Sequence, residues 1–340
     1  MRKSLLGAFG IFVSVFLVWW VLRGENYQDV IEKIANANFW YLFLCVLVGT
    51  LGYLIRALRW KVLLEPMALE TSLRSRFASV SMGFAANNLF PFRIGEIVRP
   101  VSLSKMESIS TSGVIGSLVV ERFLDSVTVF SMLFLVTMMP SFPGTEEIWS
   151  GTGGSLMLST LRLIAGFFVV LILFAIFPRF FLELARKVFL KNRNDLGLRI
   201  VGALESFLEA LSLLRDLKLF SRALLWSYGF WLWHAWSFWF GFRAFGIEEG
   251  FITAIFTMGV VGLAVAIPAG PGFFGTFQLG AMIALNGVFK VTESTTLAFA
   301  FGYHLGGFFP ITFIGMYYAW KMGLSMKQIG QRNSDPNDVL

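Results

Sequence analysis

Two long hydrophobic stretches of this chain are each interrupted near the middle by a short segment rich in proline, glycine and polar residues. The first interruption runs from Asn87 to Pro100, and the second from Ile267 to Gln278. Irregular backbone inside a bilayer leaves peptide groups without partners, so it persists only where protein or a watery cavity surrounds it. Broken segments at matching places in two halves of a membrane protein indicate a transport site.

The composition is that of a membrane protein with several spans. Of 340 residues, 56% are hydrophobic and only 14% are charged, whereas a soluble domain is about 25% charged. The one cysteine, Cys45, excludes an intramolecular disulfide. His234 and His304 lie far apart in apolar surroundings, so we expect no metal site and no cofactor. No nucleic-acid partner is expected either.

Six apolar runs approach the roughly 20 residues that a membrane-spanning helix needs. They are Leu5–Leu22, Phe39–Ile55, Ser112–Met138, Leu161–Phe177, Ala223–Gly241 and Thr295–Trp320. The first is too long for the apolar core of a signal peptide, so we interpret it as a retained helix. The two interrupted stretches, Phe77–Met106 and Phe251–Phe289, have halves too short to cross. Each is therefore predicted to be a re-entrant helical hairpin.

The basic residues support this plan, because lysine and arginine concentrate in cytoplasmic loops. If both interrupted stretches return to the side they entered, 21 of the 28 basic residues face the cytoplasm, nine of them within Arg179–Arg222. A full crossing by either stretch would place a basic segment outside. We therefore expect a multi-pass protein of the cell inner membrane with cytoplasmic termini, including the tail 321–340.

The order of elements repeats along the chain with the opposite orientation. Residues 1–138 are predicted to run helix, helix, hairpin, helix from one side, and residues 161–320 repeat this order from the other. The predicted fold is thus one all-α membrane domain, residues 1–340, with six spans and two opposed hairpins in an inverted repeat. Sequence similarity between the halves is slight, with Arg56–Leu58 resembling Arg243–Phe245 at comparable helix ends.

Two further segments show apolar residues at helical spacing, Tyr27–Asn38 and Arg199–Leu219. In the second, the apolar stripe includes Leu204, Leu208 and Leu211. We predict helices lying at the membrane surface. A docking surface for a partner is the alternative.

Five charged residues are predicted to lie within or near the hydrocarbon region: Arg93, Glu96, Glu121, Arg122 and Asp125. A central charge costs roughly 2.5–3.5 kcal/mol, so these groups must pair or lie in a hydrated cavity. Glu96 is three residues from both Arg93 and Arg99, a spacing that predicts a carboxylate bridging two guanidiniums. Two interpretations stay open: an ion-pair network that locks the hairpin, and a site for an anionic group, which arginine binds in a bidentate way.

The second interruption carries no charge. Gly270, Gly272 and Gly275 would let the backbone approach a ligand closely. A helix beginning near Gly275 would favour an anion there, with neutral hydrogen bonds from Thr276 and Gln278. A plain kink between packed helices is the alternative, and both histidines are expected to be packing residues.

The motifs occur in a recognisable order: Arg56-x-x-Arg59-Trp60, Asn87-x-x-x-Pro91-x-Arg93-x-Gly95-Glu96-x-x-Arg99, Glu121-Arg122-x-x-Asp125, and Pro268-x-Gly270-x-Gly272-x-x-Gly275. Together they resemble the lysylphosphatidylglycerol synthase transmembrane region, also called the flippase-like or UPF0104 family, over nearly the whole chain. The resemblance implies movement of lipid between leaflets. The soluble synthase domain of bifunctional members is missing, so no synthase activity is implied. Members often carry an acid where this chain has Gln278.

We therefore expect a lipid flippase or transporter rather than an enzyme, acting on a phospholipid or on a polyprenyl- or hopanoid-type lipid. Arginines and asparagines would contact the lipid, namely Arg56, Arg59, Asn87, Asn88, Arg93 and Arg99. The carboxylates of Glu96, Glu121 and Asp125 would be their resting partners, with Arg122 in the gating network. The alternatives are a non-catalytic partner of an envelope-assembly enzyme, and a membrane-embedded lipid transferase.

Overall fold

The structure is a computed structural model. It describes residues 27–67, 70–140, 178–189, 195–267 and 270–323, with scattered residues within 15–23, 142–143 and 166–177. The described α-helices are Tyr27–Ala35, Phe39–Leu64, Leu73–Leu89, Gly95–Glu107, Thr111–Thr137, Pro178–Phe189, Asp195–Ala210, Leu217–Ala244, Phe251–Ala264, Thr276–Ala281 and Glu293–Lys321. Short 3-10 turns at Glu65–Met67, Leu211–Arg215 and Pro271–Phe273, and a π-helical segment at Met282–Val288, complete them. The described part is all helical.

Polar side chains set where several of these helices begin. The side chains of Asn38, Ser72, Ser110 and Asp216 each accept a hydrogen bond from a backbone N–H in the first helical turn that follows. Such N-cap side chains supply hydrogen-bond acceptors to backbone N–H groups of the first turn, which have no partner within the helix. The predicted span from Phe39 continues beyond Ile55 and includes two arginines. The predicted spans 5–22 and 161–177 fall largely outside the described residues.

Two described helices pass a length and hydropathy test for crossing a membrane. They are the segments Phe39–Met67 and Glu293–Lys321. The interrupted stretches do not supply such helices, because each is divided into shorter ones, as the sequence predicted.

The central pair of helices, Phe39–Leu64 and Leu217–Ala244, runs antiparallel. At one end, the Asn38 N–H donates to the Ala244 carbonyl at 2.8 Å. Near the middle, the Trp233 indole N–H donates to the Val48 carbonyl at 2.8 Å. At the other end, Arg222 pairs with Glu65 at 2.8 Å. This pair is the scaffold on which both interrupted stretches pack.

The first interrupted stretch forms a hairpin of the helices Leu73–Leu89 and Gly95–Glu107, named the first hairpin below. Its helices meet closely, since a methyl group at Gly95 would overlap the Gly83 carbonyl. Its outer ends are joined where the Ser72 N–H donates to Glu107 at 3.0 Å. At its tip, Phe92 and Arg93 both adopt left-handed backbone conformations, with φ of 62° and 53°.

The second interrupted stretch folds in the same way, from Phe251 to Val288, and is named the second hairpin. A Cβ atom at Gly280 would lie 2.9 Å from the Val261 Cα, so the two arms pack backbone to backbone. The outer ends meet where the rings of Phe256 and Phe289 lie 5.7 Å apart. At the tip, Gly272 and Phe273 are both left-handed, with φ of 66° and 61°.

The tips of the two hairpins touch each other. The Arg93 guanidinium at the first tip donates a hydrogen bond to the carbonyl of Val265, which ends the first arm of the second hairpin. The same guanidinium lies 5.4 Å from the centre of the Phe273 ring. Two left-handed residues, Arg93 and Phe273, are therefore in direct contact.

The helix after each hairpin packs on the hairpin of the other half. Helix Glu293–Lys321 contacts the first arm of the first hairpin, and helix Thr111–Thr137 contacts the first arm of the second hairpin. The amphipathic helices Tyr27–Ala35 and Asp195–Ala210 pack on Glu293–Lys321 and Thr111–Thr137 respectively. In helix Asp195–Ala210 and the turn after it, Leu208 and Leu211 are buried and Leu204 is partly buried, so the predicted apolar stripe packs against the protein.

Candidate functional site

A cluster of arginines and carboxylates lies between the central pair, the first hairpin and helix Thr111–Thr137. Its centre is Glu121, whose side chain is 0% exposed. Arg99 binds it in a bidentate way, at 2.7 Å and 2.8 Å. Arg56 donates to the same carboxylate at 2.6 Å, and an Arg59 nitrogen lies 3.6 Å away. Three guanidiniums therefore share contacts with one buried carboxylate.

Asp125 lies one helical turn further along and is the second buried acid. Arg59 donates to its Oδ1 atom at 2.6 Å, and the indole N–H of Trp231 donates to the same atom at 3.0 Å. Arg56 lies 3.7 Å from the other oxygen. Arg59 also donates to the Ser227 hydroxyl at 3.2 Å.

Aromatic faces cover the guanidiniums on the sides that carboxylates leave open. The Arg99 guanidinium lies 4.0 Å from the Trp60 ring centre, and that of Arg56 lies 4.4 Å from Phe230. Cation–π contact is strongest where water is excluded. Arginine suits this environment, because its delocalised charge is weakly hydrated.

Glu96 pairs with Arg122, at 3.0 Å, on the more open side of the cluster. The side chains are 33% and 42% exposed, in contrast to the buried core around Glu121. The prediction that Glu96 bridges Arg93 and Arg99 is wrong. The left-handed turn at the tip directs Arg93 to the second hairpin, and Arg99 faces Glu121.

Arg93 has no carboxylate within ion-pair distance among the described residues, and its guanidinium donates a hydrogen bond to the Val265 carbonyl. It lies close enough to Glu96 and Arg122 to interact electrostatically with both. Counting these contacts, five arginines face three carboxylates. The cluster therefore carries an excess of two positive charges.

Several guanidinium N–H donors in this cluster are also unused. Within the described part of the chain, the Nε atoms of Arg59, Arg93, Arg99 and Arg122 are buried and have no hydrogen-bond acceptor. Buried polar groups are nearly always hydrogen-bonded, so a set of unused donors requires an explanation. The cluster therefore combines an excess of positive charge with unused hydrogen-bond donors.

The two asparagines of the first motif hold the hairpin in place. The Asn87 side chain accepts the Gly95 N–H at 2.8 Å across the tip. The Asn88 amide donates to the Thr312 hydroxyl at 2.8 Å and to the Phe308 carbonyl at 3.3 Å. Both side chains thus fix the hairpin that carries Arg93, Glu96 and Arg99.

In the second motif, the polar groups bond to one another. The Gly275 N–H, at a residue with φ of 87°, donates to Gln278 Oε1 at 2.8 Å. The Thr276 hydroxyl donates to the Phe273 carbonyl at 3.0 Å. Gln278 Nε2 lies 3.2 Å from His304 Nδ1. Gly270 is buried nearby, and a Cβ atom at Gly272 would lie 2.7 Å from the Phe308 ring.

Sequence reasoning did not identify three residues of the cluster: Trp60, Ser227 and Trp231. Trp60 immediately follows Arg59, and its indole also donates to Ser117 at 3.0 Å. Tryptophans at membrane depth near arginines offer a signal for cation–π contact. Ser227 and Trp231 come from the other half of the chain, and nothing in the local sequence connects them with Asp125.

An all-helical fold with apolar helices and a buried charge cluster between two broken segments is consistent with a polytopic membrane protein. The family model of the lysylphosphatidylglycerol synthase TM region matches residues 7–315, so the chain belongs to this family.

Two archaeal relatives carry the UPF0104 family name. A UPF0104 membrane protein of Pyrococcus horikoshii is 24% identical over 311 residues, covering 87% of this chain and 91% of the relative. A UPF0104 membrane protein of Methanocaldococcus jannaschii is 27% identical over 129 residues, covering 37% of this chain and 38% of the relative.

Proposed function

We propose that this protein is a lipid transporter that moves a phosphate-bearing lipid between the leaflets of the cell inner membrane. The observation that carries the proposal is the excess of two positive charges in the cluster, together with unused guanidinium donors that include Arg93 Nε at the tip of the first hairpin. A lipid phosphodiester would supply both a negative charge and acceptor oxygens. Arginine matches such a group geometrically.

The proposed topology has six spans and two re-entrant hairpins that enter from opposite sides. The contact between the two tips supports it, since opposed hairpins meet only at their tips. The equivalent packing of the helices that follow the hairpins supports an inverted repeat. In this arrangement, the N- and C-termini are cytoplasmic, and the cluster lies at membrane depth.

The two parts of the cluster have different roles in this proposal. Glu121 and Asp125 are buried and closely bound, so they keep Arg56, Arg59 and Arg99 in place. The Glu96–Arg122 pair is partly exposed and can be exchanged for a ligand with a smaller desolvation cost. Arg93 is the cation that the incoming phosphate meets without displacing a carboxylate.

A carrier fits the cluster better than a transferase does. In the described residues, no group of three or more histidine, cysteine or acidic side chains is arranged to hold a metal ion. Both buried carboxylates are paired with arginines. The residues instead form a binding arrangement with excess cationic charge.

Substitution of Arg93 tests the proposal in proteoliposomes with a fluorescent anionic phospholipid. Arg93→Ala should slow lipid movement about tenfold or more, the effect of losing a hydrogen bond to a charged group. Arg93→Lys keeps the charge but loses the planar fork, so an intermediate rate is expected. Because Glu96 pairs with Arg122, neither change strands a carboxylate, and both variants should fold.

Arg222→Ala is the matched control, because it makes the same change to an arginine outside the cluster, one that pairs with the partly exposed Glu65. Its rate should equal that of the unmodified protein. If Arg93→Ala folds and moves lipid as fast as this control, the phosphate site is refuted, and the cluster only stabilises the fold.

A further inference from the structure

The charged cluster of the first half has a neutral counterpart in the second half, in the same helical register. Arg122 is the twelfth residue of helix Thr111–Thr137, and His304 is the twelfth of helix Glu293–Lys321. Glu121 and Tyr303 precede them. Arg59 and Ser237 are the twenty-first residues of the two central helices, which begin at Phe39 and Leu217. Similar positions in the two halves thus carry polar side chains of different charge.

Two side-chain contacts of the first half also have equivalents in the second half. In the first half, Arg59 lies 3.6 Å from Glu121; in the second, the Ser237 hydroxyl lies 3.0 Å from that of Tyr303. These are equivalent helix-to-helix contacts. The match shows that the second network is a copy of the first in which neutral groups replace ions.

The other contact joins the hairpin to the helix that follows it. Glu96, at the start of the second arm of the first hairpin, pairs with Arg122 at 3.0 Å. Gln278, at the start of the second arm of the second hairpin, lies 3.2 Å from His304. His304 therefore occupies the position in which the first half has a permanent cation.

The surroundings of His304 are neutral. Phe274 and Phe277 lie with ring centres 4.6 Å and 4.7 Å from the imidazole, and the Gly272 backbone is a hydrogen-bond partner. The preceding residue, Tyr303, interacts with Ser237, Cys45 and Tyr53, which are all uncharged groups of the two central helices. In the described part of the chain, the packed helices Tyr27–Ala35, Leu73–Leu89 and Leu217–Ala244 bring no carboxylate within ion-pair distance of the ring.

The hydrogen bonds around Gln278 define the protonation state of His304 in this conformation. Gln278 Oε1 accepts the Gly275 N–H, so the Gln278 amide presents its NH₂ group to His304 Nδ1. An amide NH₂ can only donate, so Nδ1 is an acceptor and the imidazole is neutral. A proton on Nδ1 would face a second donor.

Protonation of His304 would therefore act on the tip of the second hairpin. To accept a bond from a protonated Nδ1, the Gln278 amide must turn its oxygen to the ring. That turn breaks its hydrogen bond with Gly275, a tip residue in a left-handed conformation. The tip of the second hairpin in turn contacts Arg93 through Phe273 and Val265.

We propose that His304 is a proton-binding site coupled to the second hairpin through Gln278, so that a proton promotes lipid movement. This inference rests on the proposed transport function. The bound proton gives the second half the cation that Arg122 gives the first half, and it releases Gly275 from Gln278. No other group changes its charge in this step, since the proton is taken up from water.

The first test is the pH dependence of lipid movement in proteoliposomes between about pH 5 and 8, the range in which histidine ordinarily titrates. The rate should rise as pH falls, by up to about tenfold per pH unit while the imidazole is mostly neutral. His304→Gln should abolish this dependence. His304→Arg, a permanent cation, should make the rate high and independent of pH. His234→Gln, the other histidine of the chain, should keep the dependence.

The second test observes the proton directly and does not need transport. In His234→Gln protein, His304 is the one remaining histidine, and nitrogen NMR of its ring in bilayers should show Nδ1 becoming protonated as pH falls. The Gly275 amide signal should shift with the same midpoint. A ring that stays neutral, or a Gly275 signal unaffected by its titration, overturns the proposal.

The two tests separate this inference from the proposed function. If the unmodified protein moves no lipid at any pH, the transport function is refuted, and the NMR titration still decides the proton site. If lipid moves but the rate does not rise with falling pH, or if the rise persists in His304→Gln, the coupling is refuted while transport stands.

Discussion

Replacing Glu121 with glutamine removes the one negative charge that three buried guanidiniums share. Arg99, Arg56 and Arg59 all lie within 3.6 Å of this carboxylate, whose side chain is 0% exposed. Breaking a buried ion pair by removing one partner costs about 3–5 kcal/mol. Since every 1.4 kcal/mol is a factor of ten, the equilibrium constant between folded and unfolded protein should fall roughly a hundred- to several-thousandfold.

The matched substitution is Glu96→Gln, the same chemical change in the same cluster. Its partner Arg122 is 42% exposed, and exposed pairs contribute about 0–1 kcal/mol. Reversible unfolding in mixed micelles, followed by tryptophan fluorescence, gives both free energies. Equal losses for the two variants, or a loss below about 1 kcal/mol for Glu121→Gln, would contradict the assignment of a buried core and an open edge.

Two further perturbations test the fold. Single cysteines can be placed at the outer ends of the hairpins in a Cys45→Ser background. A reagent that does not cross the membrane should label the ends of the first hairpin from the cytoplasm and those of the second from outside. If the two ends of one hairpin are labelled from opposite sides, the topology is refuted. The exposed or partly exposed positions are Arg74 and Ile109 for the first hairpin, and Gly250 and Lys290 for the second. Gly95→Ala should destabilise by about 1–3 kcal/mol or more, because its methyl group meets the Gly83 carbonyl. Gly229→Ala, with nothing within 4 Å, should be neutral or stabilising, and equal thermal shifts for the two would refute the close approach.

Some members of the charge cluster could be predicted from the sequence because a charge in an apolar run has few possible environments. Glu121, Arg122 and Asp125 stand in such a run, so each needed a partner nearby. Arg56 and Arg59 lie beyond the predicted end of the span at Ile55, so this argument did not reach them. The need of each charge for a partner can be read from its neighbours in the sequence. Their meeting in one place follows from the packing of the helices.

The choice of partners could not be predicted, because it depends on the turn at the hairpin tip. Spacing placed Glu96 beside Arg93 and Arg99, which would be right for one continuous helix. The chain instead turns through left-handed Phe92 and Arg93 before the helix begins at Gly95. Non-glycine residues seldom adopt that conformation, so sequence pattern does not indicate it.

The correspondence between the halves was also hidden from sequence comparison. Arg56–Leu58 resembles Arg243–Phe245 in letters, but in the folded helices Arg56 has the register of His234, the eighteenth residue counted from Leu217. The equivalent residues share positions and polar contacts while differing in charge. Similarity of side-chain identity is therefore a poor guide to which positions of the two halves correspond.

The separation of charge between the halves has a physical consequence for a carrier. Arginine does not lose its proton in proteins, so the excess positive charge of the cluster is permanent and cannot by itself release a bound phosphate. A change in affinity must then come from movement of the hairpins or from a group that titrates. His304 contacts Gln278, which holds Gly275 at the opposite tip, and that tip contacts Arg93. A permanent cation at the first tip, Arg93, and a titratable group beside the second tip, His304, would let the same pair of tips both bind and release the phosphate.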